Sequence, residues 1–416
     1  VGVQLIVRGG GAQEPQREAG LATLTFDMLD EGAGSLDALG LAEAIANLGT
    51  RAQVWSGREA GGVGMGVLKR HVDESVSLLA SMAQKPRFTT EDFERVKERH
   101  LSSIKGRTGD PRSVAGDVFA AATYGEKHAY GRPTVGTEET VQRLKVSQAK
   151  KFWGDIAGPK TAALVFAGDI TLEEAVALAE RHFGKWRGKA TPPKAPSDPK
   201  PLDATRLRLV DFPGAPQTVM MIGRPLVKQG DEDEPALLVF NQVLGGMFSS
   251  RLNLNLREDK GWTYGASTSV DARSGLGPFI ATAGIKTEHT AEAIAEVFKE
   301  FDTLRDLGIK SDEELNAAKA NFIKSLPGRF ETVADLLALG GQLYTYGLPL
   351  DHYTQLPERV AAVTADDVKR AAARALVRQQ MAIVLVGDRA AVEESVSRLE
   401  LGALQVVDAQ GDIVQP

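Results

Sequence analysis

The sequence predicts an α+β protein of two homologous domains, each a mixed, antiparallel-rich sheet with helices packed mainly on one face. Three observations carry this. A proline-rich stretch divides the chain into halves of similar length, short strand patterns lie between longer runs of helical periodicity, and the second half repeats the first half's order of elements. At 416 residues the chain also exceeds what one hydrophobic core usually organises.

In order along the first half, residues 3–8 alternate weakly as a strand, and residues 18–29 and 37–48 carry apolar side chains at helical spacing. Residues 53–55 and 63–68 read as short strands flanked by glycine. Residues 72–83 and 90–105 read as helices, and 147–152 follow a Val146-Ser147 start signal. The apolar run 163–167 ends at Gly168-Asp169 and is followed by a helix over 172–183. The second half repeats the scheme: a strand over 218–222, a helix over 234–244, and a strand near 264–269. Helices follow near 291–307 and 312–325, with another opening at Val363-Thr364. The apolar run 382–386 then ends at Gly387-Asp388 before a helix over 391–399, at nearly the separation that relates the other paired features. Strands joined by such short links favour antiparallel pairing.

The divider holds five prolines between residues 188 and 201, which preclude helix and favour extended chain. The expected boundaries are a first α+β repeat over 1–187, a linker over 188–204 and a second repeat over 205–416. The opening Val1-Gly2-Val3 reads as a strand interior with no initiator Met or leader, so the natural N-terminus is expected to lie upstream.

The composition narrows the function. A net charge of -6, with acids and bases mixed along the chain, offers no basic stripe with interleaved aromatics, so nucleic acid is not an expected partner. No apolar run approaches the roughly 18 residues that span a bilayer, so no membrane span is expected. With no cysteine there is no disulfide, thiolate ligand or cysteine nucleophile. The six histidines, His71, His100, His128, His182, His289 and His352, never fall three or four apart on a helix.

Four stretches carry a likeness: residues 20–29, residues 130–137, Phe166-Ala167-Gly168-Asp169, and residues 245–264, which combine Gly245-Gly246, Ser249-Ser250-Arg251-Leu252 and a spaced arginine and tyrosine. In this order, and duplicated, they resemble the pitrilysin/insulinase family of zinc metallopeptidases, especially its short members akin to mitochondrial processing peptidase. The resemblance implies a His-x-x-Glu-His motif on the first helix, whose spacing sets two zinc ligands on one face beside a catalytic glutamate. Here Thr23 and Asp27 stand in the histidine positions, Phe26 stands for the glutamate, and Ser103 stands at or near the distal glutamate. The chain alone is therefore expected to bind no metal and to cleave nothing.

Arg257 and Tyr264 match the arginine–tyrosine pair that the family presents to a zinc held by the opposite half or subunit. A guanidinium gives fixed planar donors to a peptide carbonyl. A phenol can donate to the oxyanion formed as water attacks. A plainer alternative stays open: Arg257 pairs with Glu258 or Asp259, and Tyr264 is a strand residue with a wet hydroxyl. Arg251, Tyr130 and Arg132 read as structural. Gly245-Gly246 reads as a helix stop rather than a hinge. Ala281, Thr282, Ala283 and Gly284 form a candidate edge strand for peptide addition.

The expected function is the non-catalytic, substrate-binding subunit of a heterodimeric zinc peptidase, with zinc in a homologous partner and unfolded peptides as substrates. The alternatives are a structural assembly subunit, or a homodimer that grips peptides without cutting. High Ala, Gly and Arg usage suggests a bacterial source, and the periplasm is favoured over the cytoplasm.

Overall fold

A computed structural model describes residues 1–414. The first half runs β1 (Gly2–Arg8), α1 (Leu21–Asp27), α2 (Ala38–Asn47), β2 (Gln53–Ser56), β3 (Ala60–Gly66), α3 (Val72–Gln84), α4 (Thr90–Thr108) and α5 (Pro111–Tyr124). It continues through α6 (Glu138–Arg143), α7 (Val146–Ile156), β4 (Ala162–Ala167) and α8 (Leu172–Phe183). The second half runs β5 (Arg206–Asp211), β6 (Gln217–Val227), α9 (Glu234–Asn241), β7 (Thr263–Val270), β8 (Gly277–Lys286), α10 (Thr290–Leu307) and α11 (Asp312–Ser325). It ends with α12 (Val333–Tyr346), α13 (His352–Ala361), α14 (Ala365–Ala375), β9 (Ala382–Gly387), α15 (Arg389–Ser397) and β10 (Leu404–Val407). No regular element interrupts the proline-rich stretch.

Two compact units form, and neither is a contiguous half. The first comprises Val1–Gly106, Arg132–Ala195 and Gly328–Pro349, the second Arg107–Gly131, Pro196–Pro327 and Leu350–Pro416. Each unit therefore takes one helix from the other half of the sequence: α12 belongs to the first, α5 to the second.

In the first unit, four strands lie in the order β2-β3-β1-β4, all antiparallel, with Leu5 opposite both Val63 and Leu164. Val3, Leu5 and Val7 face a core with Leu24, Phe26, Leu79, Phe93, Phe152 and Trp153. The opposite face is covered by α12, whose Gly340 and Gly341 bring the helix close to the sheet. A Cβ on Gly340 would stand 2.7 Å from Val165 Cγ1, and one on Gly341 2.7 Å from Ile6 Cδ1. Arg8 Nε donates to the Tyr344 carbonyl at 3.0 Å and its guanidinium covers the Tyr344 ring, fixing the helix end. Burial on both faces explains why β1 alternates only weakly. A cavity of about 550 Å³ lies along β4 under α8, lined by Leu164, Phe166, Leu172, Val176 and Trp186.

The second unit has six strands in the order β10-β5-β9-β6-β8-β7, with β5 parallel to both β9 and β10 and the remaining pairs antiparallel. Ala382, Val384 and Val386 of β9 face Val114, Val118 and Phe119 of α5. On the other face Phe279 of β8 packs against Phe240 of α9 and Phe301 of α10, with centroids 5.5 and 5.9 Å apart. Both sheets are antiparallel-rich, as expected, but only the second is mixed; the first is antiparallel throughout. Most helices share one face of each sheet, and the exchanged helix takes the other.

This topology corrects one expectation. Ala281, Thr282, Ala283 and Gly284 do not form an edge: they lie in β8, all paired to β6 on one side, and the first three paired to β7 on the other, where the register shifts at Gly284. Their small size has a packing cause, since Ala281 and Ala283 are buried on the face that meets the helices. The outer strand is β7.

Candidate functional site

In the first unit the chain enters α1 through Gly20, whose φ of +94° and contacts exclude a side chain; a Cβ there would lie 2.7 Å from the Val135 carbonyl oxygen. The buried Glu14 carboxylate accepts from Ala22 N–H at 2.5 Å and Gly20 N–H at 3.3 Å. Arg132 in turn donates to the Glu14 carbonyl at 3.2 Å, and Arg58 to the Arg132 carbonyl at 2.9 Å. Burial pushes the Glu14 carboxyl up to about 8, against the pull of both backbone donors and the two arginines.

The degenerate motif residues on α1 serve three different ends. Thr23 donates to the Thr134 carbonyl at 3.0 Å and accepts from Ser56 at 3.1 Å, so its hydroxyl ties the helix to β2. Phe26 is fully buried and stands edge-on to Trp153 at 5.6 Å. Its ring lies against Gly61 of β3, where a Cβ would come within 2.4 Å. Asp27 is half-buried; burial raises its carboxyl above the usual range, opposed by nearby His100 and Arg99. His100 Nε2 donates to the Val135 carbonyl at 2.7 Å, so this histidine is anchored rather than unpartnered. Ser103 is exposed on α4.

Zinc needs several nitrogen, sulfur or carboxylate donors converging at about 2.0–2.3 Å. An engaged hydroxyl, a buried phenyl ring and one carboxylate do not supply them. Among the described residues no group of three His, Asp or Glu is placed to hold a metal ion.

The second unit presents the arginine and tyrosine. Helix α9 runs into a π-helical turn, Gln242–Gly246, and the chain extends at Met247. It then re-enters helix at Arg251–Asn253 and passes through a second π-helical turn, Leu254–Asp259, before β7. Such wide turns recur at functional positions. Gly245-Gly246 does end a helix, and close approach adds a second reason: a Cβ on Gly245 would lie 2.5 Å from the Thr268 nitrogen of β7. Buried Asn253 bridges the two parts, accepting from Ala266 N–H at 3.2 Å and donating to the Phe248 carbonyl at 2.7 Å. Arg251 is structural, bidentate to Glu314 at 2.7 Å and donating to the Gly308 carbonyl at 2.9 Å.

Arg257 lies on the second π-helical turn, its side chain 37% exposed, with Nε 3.5 Å from Glu258 Oε1 and its guanidinium 4.5 Å above the Phe248 ring. The Glu258 pair is the plainer reading of Arg257 made visible, but an exposed ion pair at that distance contributes little. Tyr264 is 88% exposed on the outer strand β7, against which the turn packs. Sequence reading missed Phe248, whose exposed ring under a cation has no signature in residue spacing. It also missed Glu14, whose burial depends on distant chain.

The sequence profile described as insulinase (peptidase family M16) matches residues 1–138, and that of the peptidase M16 inactive domain matches residues 143–322. The chain belongs to the insulinase family. Within that family it is similar to an uncharacterized zinc protease of Mycobacterium leprae, 29% identical over 63% of this chain and 59% of that protein. It is also similar to the non-peptidase homolog YmxG of Helicobacter pylori, 25% identical over 88% of this chain and 84% of that protein. In fold it matches the peptidase M16 inactive domain from Pseudomonas fluorescens, with a TM-score of 0.85, 24% identity and 93% and 92% of the two chains covered. A chain of complex III2 from Candida albicans matches with a TM-score of 0.80, 17% identity and coverage of 96% and 94%. Its replaced zinc motif makes this chain a zinc-less, non-catalytic member of the insulinase family. Among the described residues no helix is long and apolar enough to cross a membrane.

Proposed function

We propose that this chain is the peptide-gripping subunit of a two-chain zinc peptidase and that it acts on a peptide bond whose metal is held by a homologous partner. The observation that carries this reading is a contrast. The motif position that would bear the catalytic glutamate is sealed by the buried ring of Phe26, while Tyr264 stands outside the fold on an outer strand beside the Arg257 turn. A scaffold has no need to keep a tyrosine so exposed. Arg257 offers planar donors to a substrate carbonyl. The Tyr264 hydroxyl donates to the oxygen on which negative charge develops. A zinc held by the partner's His-x-x-Glu-His motif would supply the activated water, and unfolded bacterial peptides, met in the periplasm, are the substrates.

Mixing this chain with a homologue that carries an intact His-x-x-Glu-His motif tests the reading. Peptide cleavage is expected only in the mixture. Arg257→Ala and Tyr264→Phe are each expected to lower its turnover by about 100- to 1000-fold, with the zinc content of the partner unchanged. Unaltered turnover in both variants removes the assisting role.

The likeness to the Candida complex III2 chain favours a second reading, an assembly subunit without a peptide-binding role. In that case the mixture forms a stable complex, but neither substitution changes any activity.

A further inference from the structure

Phe248 sits in the short connection between the π-helical turn that ends at Gly246 and the helix that begins at Arg251. Phe248 is 65% exposed, which is ordinary for a single apolar residue; what sets it apart is the cation over its ring. Its backbone is not loose. The Phe248 carbonyl accepts from the buried Asn253 amide at 2.7 Å, and Ser250 N–H donates to the Met247 carbonyl at 3.1 Å to close the turn. Asn253 also accepts from Ala266 N–H of β7, so one buried amide couples the Phe248 loop to the strand that carries Tyr264. The backbone that carries the ring is thus anchored, and the Arg257 guanidinium carbon lies 4.5 Å from the ring centroid.

Arg257 has few other restraints. Its side chain otherwise meets the half-exposed Glu258, whose Oε1 lies 3.5 Å from Nε, a loose pair in solvent. A long, flexible side chain held only by such a pair samples many rotamers, and each rotamer frozen on binding lowers affinity. A guanidinium stacked on an aromatic face keeps its plane while leaving its N–H edges free to donate. We propose that Phe248 is a positioning residue for peptide binding, acting through Arg257 by presenting its guanidinium in a donor-ready plane. The inference rests on the reading of Arg257 as a peptide-contacting group.

The test uses the chain by itself and a fluorescein-labelled, unstructured peptide of mixed sequence, with affinity read by anisotropy. Phe248→Leu, which keeps apolar bulk but removes the aromatic face, is expected to weaken binding by about two- to fivefold. Phe248→Tyr restores it, and Phe248→Leu combined with Arg257→Ala binds no worse than Arg257→Ala alone. The Arg257 Nε–H resonance, shifted by the ring current, moves in Phe248→Leu and stays in Phe248→Tyr. If Arg257→Ala weakens binding but Phe248→Leu does not, or if the two losses add in full, the positioning role is overturned while the gripping role of Arg257 stands. If Arg257→Ala leaves affinity unchanged, the gripping role itself falls, and the positioning role with it.

Discussion

Phe26 and Glu14 show how one short helix is held by chemistry unlike that of a metal site. Phe26 fills the space left by Gly61, and a carboxylate in its place would be buried without a partner, a costly arrangement. Glu14 shows the related situation of a buried acid held at about 8, above its ordinary value of 4.5. Between those values the folded state binds a proton that the unfolded state has released, so this group's stabilisation is full below 4.5 and is lost as pH rises through about 8. Glu14→Gln removes the titration. Urea unfolding across that range should show the parent chain losing stability relative to the variant as pH rises, and parallel curves would exclude this role. Some of these residues were legible in the sequence. Arg251 reads as structural from its neighbours, and Thr23, Phe26 and Asp27 from their failure to match a ligand pattern. Glu14 was not, because burial is set by residues far away in the chain.

At the scale of elements, legibility followed the period of the apolar pattern. Helices α3, α4, α8, α10 and α11 bury a single stripe, and the sequence places each of them closely. Helix α5 went unread, although Asp110 caps it and Pro111 opens it, because its alanines and small residues blur the stripe. The interior strand β8 reads as an edge in the sequence because its alanines suggest room for a guest, whereas the room is filled by helices. The π-helical turns have no sequence signal of their own, yet their fit to β7 is strict. Alanine at Gly245 would put a methyl 2.5 Å from the Thr268 nitrogen and 2.7 Å from its hydroxyl. Gly245→Ala should therefore cost about 1–3 kcal/mol of stability, read as a lower midpoint in thermal or urea unfolding. An unchanged midpoint would mean that the turn gives way without cost.

For the whole molecule, the exchange of α5 and α12 changes what a break in the chain would do. The proline-rich stretch is the natural place for a protease to cut, being extended and without regular hydrogen bonding. A cut there leaves an N-terminal fragment that owns α5 of the second unit and a C-terminal fragment that owns α12 of the first. The two pieces should co-elute on size exclusion under native conditions and separate only in denaturant. Each fragment expressed alone should be unfolded or aggregated, and co-expression should recover the cut molecule. Fragments that part in native buffer would show that the exchanged helices are dispensable. Removing α12 strips the outer cover from β1 and β4, and removing α5 bares β9. The reciprocal loan makes the polypeptide its own clasp: severing the covalent tie is expected to leave the assembly intact, and the two lobes should share a fate during synthesis, because the first cannot finish until the ribosome has delivered residues beyond the second lobe's sheet hairpin.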